Sequence, residues 1–219
     1  MWRIAATSCH FLFTMDSQTV SYYSQNAKVI ADRYESIVNG LAKHFEDAFP
    51  SGSRVLDVGC GSGRDLAYLH SLGRDTYGLD ATPELVELAQ DLHPELKGRL
   101  VCESIPGTAV PFGGAFDGVL CSAVLMHIAE EHQPAAVEFI KRCLKPRGRL
   151  LYSVPSKRLD AAAAGHRDSN GRLFIPDSAE RYQTLLENQG FKLLNQWGNA
   201  DSLGRDEVEW ASVLMQLGD

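Results

Sequence analysis

The chain lacks a long hydrophobic run and any paired cysteine motif. No apolar stretch approaches the ~20 residues that a membrane-spanning helix needs, so we expect no contact with a membrane. The cysteine count is odd and no two cysteines have C-x-x-C spacing, which argues against a disulfide framework or a zinc site. Dispersed thiols are typical of a reducing compartment, and we expect a cytoplasmic protein. The five are Cys9, Cys60, Cys102, Cys121 and Cys143.

The chain also lacks an excess of basic residues. Its 21 Lys and Arg residues are outnumbered by 28 Asp and Glu residues, which gives a formal net charge of −7. A protein that binds nucleic acid without sequence preference needs a basic face to meet the phosphates, so this composition argues against a nucleic-acid partner. At 219 residues the chain has room for one domain with a sizeable core.

What the chain does have is a glycine-rich turn between a predicted strand and a predicted helix. Residues 55–65 read VLDVGCGSGRD, and the first four form a short apolar strand with one acid. Gly59, Gly61 and Gly63 follow, and Leu66 begins a helical pattern. A strand, a glycine turn and a helix make the first half of a nucleotide-binding βαβ unit. Glycine is needed there because a side chain would occupy the space of the ligand.

The spacing of these glycines narrows the class of ligand. The dinucleotide fingerprint G-x-G-x-x-G needs a third glycine where this chain has Arg64 in one register and Leu66 in the other. A phosphate-binding loop needs Gly-Lys-Ser/Thr, which does not follow. Asp57 and Asp65 flank the turn and would repel a pyrophosphate. The turn therefore favours a cationic ligand without phosphate, and a nicotinamide-dependent oxidoreductase is the disfavoured alternative.

The pattern D-x-G-x-G-x-G, which begins at Asp57, resembles motif I of the class I S-adenosylmethionine (SAM)-dependent methyltransferases. SAM fits the electrostatic argument because it carries a sulfonium and an α-ammonium group and no phosphate. The resemblance implies SAM as the cofactor, S-adenosylhomocysteine (SAH) as its product, and cofactor contacts from this turn. The implied contact residues are Asp57, Gly59, Cys60, Gly61 and Asp65.

Two further segments resemble cofactor-binding parts of that family. Asp80 ends the predicted second strand, and its carboxylate can accept hydrogen bonds from both ribose hydroxyls. Thr82 is predicted to cap the following helix, which leaves Asp80 and its neighbour Ala81 available to the cofactor. Residues 103–106 stand where the family has an acid followed by Leu-Pro beside the adenine. The resemblance thus implies adenine contacts from Glu103, Ser104 and Ile105.

The segment from Phe116 to Ile128 resembles the motif IV strand of the family and the turn that follows it. We expect this strand to end near Cys121, beside the transferable methyl group, because ligands bind at the carboxyl ends of parallel strands. His127 is a candidate general base. The competing interpretation is that His127 packs beneath the turn and bonds the backbone. His132 is not at the i,i+4 spacing of a paired-histidine metal site, so we expect no metal.

Two segments are predicted to close over the site. Residues 16–49 have apolar residues at three- and four-residue steps, which predicts a helix. The run from Tyr22 to Tyr34 resembles the N-terminal segment of the family, which implies a lid over the cofactor with Tyr23, Arg33 and Tyr34 as contacts. The alternative is an amphipathic helix whose tyrosines belong to the core. Residues 156–177 are long, polar and locally basic, and form either a substrate lid that holds an anionic group or a solvated loop. Residues 1–15 are expected to be a poorly ordered tail. Candidate substrate contacts are His166, Arg172, Arg205 and Trp210.

Alternating strands and helices predict one α/β domain over residues 16–219. The resemblance implies a Rossmann-like class I methyltransferase fold, with a seven-stranded, mostly parallel sheet, helices on both faces and a last antiparallel strand. The expected function is transfer of a methyl group from SAM to an O, N, S or C atom of a small molecule. Methylation of tRNA or protein, and SAM binding without catalysis, are the alternatives. We expect a monomer or homodimer.

Overall fold

The computed structural model describes residues 15–161 and 165–219. The predicted N-terminal tail, residues 1–15, lies outside the described residues except for Met15. The Met15 side chain is half-buried and packs against the main core. This last residue of the predicted tail therefore belongs to the packed part of the chain.

A seven-stranded sheet is formed by β1 (Arg54–Val58), β2 (Asp75–Asp80), β3 (Leu100–Cys102), β4 (Phe116–Ser122), β5 (Leu144–Arg158), β6 (Phe191–Ala200) and β7 (Val208–Leu217). Its spatial order is β3-β2-β1-β4-β5-β7-β6. Strand β7 runs antiparallel to β5 and β6, and the other neighbouring pairs are parallel. This arrangement confirms the predicted fold class.

Helices cover both faces of this sheet: α1 (Ser17–Gln25), α2 (Ala27–Glu35), α3 (Phe45–Ala48), α4 (Arg64–Ser71), α5 (Pro83–Leu92), α6 (Gln133–Cys143) and α7 (Ser178–Asn188). The main core lies under α6 and α7, where Phe139 and Tyr182 are fully buried. A second cluster lies under α3 and α4 and includes Phe45 and Leu69. Within residues 15–161 and 165–219, no helix has the length and apolar character needed to span a membrane.

The prediction of one continuous helix over residues 16–49 is wrong, because the segment forms three separate helices, α1, α2 and α3. Helix α1 ends at Asn26, whose side-chain amide donates to the Tyr22 carbonyl at 2.8 Å. Helix α2 ends at Ser36, whose hydroxyl donates to the Arg33 carbonyl at 2.7 Å. A loop and a 3₁₀ turn (Ala42–His44) then lead to α3. Polar side chains that bond the nearby backbone compete with the helix, and apolar periodicity does not reveal them.

Two strand glycines differ sharply in how closely the rest of the chain approaches them. A Cβ atom added at Gly118 in β4 would lie 2.3 Å from Cδ1 of the buried Phe49 ring. A Cβ atom added at Gly198 in β6 would meet nothing within 4 Å. Gly118 is therefore a close-packing requirement, whereas Gly198 is not.

We expect Gly118→Ala to lower the free energy of unfolding by about 1–3 kcal/mol, because the Phe49 ring must shift to accept the methyl group. Urea unfolding followed by circular dichroism measures the change. The matched variant Gly198→Ala should alter the same quantity by less than about 0.5 kcal/mol. Equal losses in the two variants would contradict the packing at Phe49.

Candidate functional site

A cavity of about 240 Å³ opens at the carboxyl ends of β1, β2 and β4. This is the edge at which ligands bind in parallel α/β sheets. Its walls come from the glycine turn after β1, the helices α1 and α2, the turn after β4, residues 172–174 and the connection between β6 and β7. The cavity therefore brings together segments that are far apart in the chain.

The glycine turn after β1 presents bare backbone to the cavity. The amides of Gly59 and Cys60 donate to the Leu79 carbonyl at 2.8 and 3.0 Å, which ties the turn to β2. Gly59 has a φ of +76°, and a Cβ atom there would lie 2.3 Å from Val124 Cγ2. Only glycine fits both this conformation and this space. All of the predicted contact residues of the turn line the cavity: Asp57, Gly59, Cys60, Gly61 and Asp65.

The carboxylate of Asp57 is buried at the base of this turn without a full set of partners. Its Oδ1 atom has no hydrogen-bond partner among the described residues, and the residue is 2% exposed. Burial raises the pKa of Asp57 well above its usual range, and the charges of Asp65 and Asp80 raise it further. A buried, unpaired carboxylate costs free energy. This wall therefore favours a ligand that brings positive charge or N–H donors.

Asp80, at the end of β2, holds the glycine turn and the start of α5 together. Its Oδ2 atom accepts from the Gly61 amide at 2.9 Å, and its Oδ1 atom accepts from the Thr82 amide at 2.8 Å. Thr82 is the N-cap residue of α5 as predicted, but its side chain makes no capping bond and instead hydrogen-bonds Asp80. A carboxylate has about four acceptor positions, so these bonds do not exhaust Asp80. Burial raises the pKa of Asp80, which lines the cavity with Ala81.

Asp65 is paired within the protein. Arg64 Nε donates to its Oδ1 atom at 2.9 Å, and the side-chain amide of Asn39 donates to its Oδ2 atom. The same amide of Asn39 donates to Ser122 Oγ at 3.1 Å, so it joins the loop after α2 to the end of β4. Asp65 and Asn39 both line the cavity. Asn39 could not be predicted as part of the site, because a single Asn in a polar loop carries no motif or periodic signal.

The predicted lid residues of α1 and α2 reach the cavity. Tyr23, Arg33 and Tyr34 all line it, with Arg33 exposed at its rim. The Tyr34 ring lies 3.6 Å from the position of a Cβ atom on Gly61, and burial raises the pKa of Tyr34 well above its usual range. Arg64 Nη1 donates to the Tyr34 carbonyl at 2.8 Å, which holds the end of α2 against α4.

Four predicted cofactor contacts do not line the cavity: Glu103, Ser104, Ile105 and Cys121. Ile105 and Cys121 belong to the main core. Side chains alternate along a strand, so Ser122 rather than Cys121 reaches the cavity from β4. The Glu103 carboxylate lies against Gly107, where a Cβ atom would be 2.6 Å from Oε1. The cavity wall beyond Asp80 consists instead of Ala81, Thr82 and Leu85.

His127 lines the cavity but is only 2% exposed. Its Nδ1 atom faces the Leu173 carbonyl, which can only accept, so Nδ1 carries the ring proton. Its Nε2 atom lies 3.4 Å from the Tyr23 hydroxyl. Burial lowers the pKa of His127 to about 4, so the imidazole is neutral at pH 7. The ring thus bonds the backbone through one nitrogen and offers the other as an acceptor.

Part of the predicted substrate lid returns to the cavity. Arg172 donates to Asp168 Oδ2 from Nε at 2.9 Å and from Nη2 at 2.6 Å. The guanidinium carbons of Arg158 and Arg172 lie 3.5 and 5.3 Å from the centroid of the Phe174 ring. Arg158, Arg172 and Phe174 line the cavity. The predicted contact His166 does not line it, and its carbonyl accepts from the Phe174 amide at 2.7 Å.

The connection between β6 and β7 folds around the carboxylate of Asp201. This carboxylate accepts from Arg205 Nε and Nη2 at 2.9 and 2.7 Å and from Trp210 Nε1 at 2.9 Å. Burial alone would raise the pKa of Asp201, but the bonds from Arg205 and Trp210 lower it to about 2. The predicted contacts Arg205 and Trp210 line the cavity, together with Asp201, which the sequence analysis missed.

A family model described as a methyltransferase domain matches residues 27–196. The chain belongs to this family. The matched range contains the glycine turn, Asp80 and His127, so the predicted resemblance is confirmed on the residues that suggested it. We find no metal-binding arrangement of His, Cys, Asp and Glu side chains among residues 15–161 and 165–219 of this methyltransferase-domain protein.

Individual relatives of this methyltransferase-domain protein add detail. It is 38% identical over 111 residues to the ubiquinone biosynthesis O-methyltransferase of Xanthomonas axonopodis pv. citri (strain 306). The aligned region covers 48% of this chain and 44% of that protein. The chain therefore spans less than half the length of this curated relative.

Two solved structures share the fold. The first is the [4+2]-cyclase SpnF, with a TM-score of 0.72 at 18% identity over 94% of this chain and 97% of that one. The second is the 1,6-didemethyltoxoflavin-N1-methyltransferase of Burkholderia thailandensis, crystallised with 1,6-didemethyltoxoflavin and SAH. It has a TM-score of 0.71 at 19% identity over 92% of this chain and 88% of that one. At such identities the likeness shows the fold alone.

The Asp201 carboxylate gives this wall of the cavity a pH dependence. A carboxyl group whose pKa is lowered on folding contributes stability above its unfolded pKa and loses it as the pH falls through its folded pKa. For Asp201 these values are 3.8 and about 2. We expect a contribution of about 2 kcal/mol at pH 7, lost as the pH falls from about 4 to about 2.

Asp201→Asn should therefore lower the free energy of unfolding at pH 7 and flatten its decline between those two pH values. Urea unfolding at stepped pH measures both effects. Asp206→Asn, an exposed change in the same connection, should leave the pH profile as it is. A wild-type profile in Asp201→Asn would show that the carboxylate does not order this wall.

Proposed function

We propose that this methyltransferase-domain protein transfers a methyl group from SAM to a small-molecule acceptor. The observation that carries the proposal is the orphaned Oδ1 atom of Asp57, buried beside a turn of bare glycine backbone. SAM brings a sulfonium and an ammonium group, which compensate a buried carboxylate that lacks a partner in the protein. A dinucleotide would bring phosphate charge of the wrong sign to the same wall.

The residues around the turn fit this cofactor. Asp80 retains an acceptor position for a ribose hydroxyl beyond its bonds to the Gly61 amide and to the amide and side chain of Thr82. Asp57 suits the ammonium end, and Ala81 and Leu85 supply apolar wall for the base. When bound, SAM supplies a methyl group that is already activated by positive charge.

The chain itself contributes alignment and closure. Displacement at a methyl carbon requires the nucleophile to lie in line with the leaving group, so rates depend on how firmly both partners are held. Residues 16–49 and the described part of residues 156–177 act as lids in this proposal, because both contribute walls of the cavity and limit the access of water. His127 is neutral at pH 7 and places a hydrogen-bond acceptor in the same wall.

The comparisons support this function without extending it to a particular acceptor. The Xanthomonas relative is named an O-methyltransferase, and the Burkholderia structure is a small-molecule methyltransferase with SAH bound. Among the described residues no cysteine forms a disulfide, which supports action in a reducing compartment such as the cytoplasm. A monomer or homodimer remains part of the proposal. SpnF shares the fold but is named a [4+2]-cyclase, so the fold alone does not establish methyl transfer, and methyl transfer needs its own test.

Calorimetry and a product assay test the proposal in sequence. We expect purified protein to bind SAM and SAH and to release no measurable heat with NAD. With a small-molecule extract as the source of acceptor, SAH should accumulate only in the presence of protein. Binding without SAH production would favour a non-catalytic SAM-binding role, and the absence of binding would reject the cofactor.

Asp80→Ala should weaken SAM binding by at least about tenfold, because it removes ribose acceptors and releases the Gly61 and Thr82 amides. Calorimetric titration measures the dissociation constant. The matched variant Asp75→Ala removes an acid at the other end of β2. Asp75 pairs with Arg99 and does not line the cavity. It should bind SAM like the wild type. Wild-type affinity in Asp80→Ala would remove Asp80 from the site.

A further inference from the structure

Two polar side chains, His127 and Arg172, approach the phenol oxygen of Tyr23 in the cavity wall. His127 Nε2 and Arg172 Nη1 each lie 3.4 Å from this oxygen. The Tyr34 hydroxyl is a further hydrogen-bond neighbour of Tyr23. We call Tyr23, His127 and Arg172 the acceptor corner. Both distances exceed the usual N···O range of about 2.7–3.2 Å, so a ligand oxygen can compete for these groups.

The Leu173 carbonyl and Asp168 determine which groups of the acceptor corner donate hydrogen bonds and which accept them. His127 Nδ1 donates to the Leu173 carbonyl, so Nε2 of the neutral ring has a lone pair and accepts from the Tyr23 hydroxyl. Arg172 is a permanent cation and a pure donor. Asp168 holds its Nε and Nη2 atoms, which directs Nη1 toward Tyr23. The corner thus combines a Tyr23 hydroxyl that donates to His127 with one charged donor, Arg172.

This combination distinguishes between ligand groups. An aliphatic amine is protonated at pH 7 and would face the positive charge of Arg172. An aromatic amine is neutral, but its lone pair is delocalised into the ring and accepts poorly from the guanidinium group. A carboxylate only accepts, so it would take the Tyr23 hydroxyl away from His127 and leave a buried nitrogen unsatisfied, at a cost of about 1–3 kcal/mol. A hydroxyl both donates and accepts. It is the group that satisfies the oxygen of Tyr23 and the guanidinium of Arg172 together.

The surroundings of the corner indicate an aromatic hydroxyl rather than an aliphatic one. The centroid of the Phe174 ring lies 4.7 Å from that of the His127 ring and Tyr34 hydrogen-bonds Tyr23, so aromatic side chains border the corner and suit a planar ring. His127 is a weak base, because burial lowers its pKa to about 4. A phenol, with a pKa of about 10, releases its proton far more readily than an aliphatic alcohol. The aromatic lining residues are Tyr23, Tyr34, Phe174 and Trp210.

We propose that the methyl acceptor is a hydroxyl group on an aromatic ring, bound with its oxygen in the acceptor corner. This inference rests on the proposed function and names its acceptor class. The phenolic O–H bond breaks as its proton passes to the Tyr23 oxygen, and the Tyr23 proton passes to His127 Nε2. The oxygen forms a bond to the methyl carbon while the C–S bond breaks, and its electron pair stays on sulfur as a thioether. Arg172 holds the charge that develops on the oxygen.

The ionisation of 4-nitrophenol, a chromogenic probe, tests the corner directly. SAH-loaded protein should bind this probe and lower its pKa by about one unit, because a cation lies next to its oxygen. Absorbance of the bound phenolate across a pH series measures the shift. Arg172→Gln should abolish the shift, while Arg181→Gln, whose partner Glu130 is at the surface, should retain it. Absence of the shift in wild type, or its persistence in Arg172→Gln, would overturn the proposal.

Methyl transfer from labelled SAM to a ring-matched set separates the acceptor classes. We expect label on 4-nitrophenol and at least tenfold less on 4-nitrobenzoate, 4-nitroaniline and 4-nitrobenzyl alcohol. Tyr23→Phe should lower kcat on the phenol at least tenfold. It should leave SAH affinity within twofold, because Phe keeps the ring that the lid places over the cofactor and loses only the hydroxyl, and this binding also shows that the variant is folded. Label on the benzoate or the aniline instead would reject the aromatic hydroxyl and leave the proposed function standing. Failure of SAH to bind would reject both.

Discussion

The Asp80 carboxylate joins the end of β2 to the glycine turn after β1, and the geometry of the candidate site depends on this junction. It accepts the Gly61 and Thr82 amides, while the Gly59 and Cys60 amides donate to the Leu79 carbonyl. The inner hydrogen-bonding groups of the turn are thereby satisfied by β2. What remains toward the cavity is bare backbone, which a ligand can approach closely because no side chain intervenes.

Much of the fold and of the glycine turn could be predicted because the signals are local. The apolar strand, the three glycines and Asp80 lie within 26 residues, from 55 to 80. The lid was harder, because Asn26 and Ser36 end its helices through side-chain bonds that apolar periodicity does not register. The placement of Cys121 failed for a similar reason. A one-residue difference along a strand exchanges the core face for the cavity.

The substrate walls could not be assembled from sequence, because their partners are remote. Arg172 and Tyr23 are 149 positions apart, and Asn39 and Ser122 are 83 apart. Composition identified residues 156–177 as basic, but not that Asp168 would hold Arg172 in place. Such pairing turns a mobile cation into a directed donor, because it fixes the plane of the guanidinium group.

Charge is divided within the cavity at the glycine turn, and this division gives the two ligands separate places. The buried carboxylates of Asp57 and Asp80 border the glycine turn, and the guanidinium of Arg172 borders Tyr23 and His127. A cationic cofactor is attracted to the first wall and repelled by the second, whereas an oxygen that gains negative charge behaves in the opposite way. His127 completes this arrangement as a neutral ring. Its Nε2 lone pair accepts the Tyr23 hydroxyl in the resting protein, and in the proposed reaction it takes up a proton only as the methyl group is transferred.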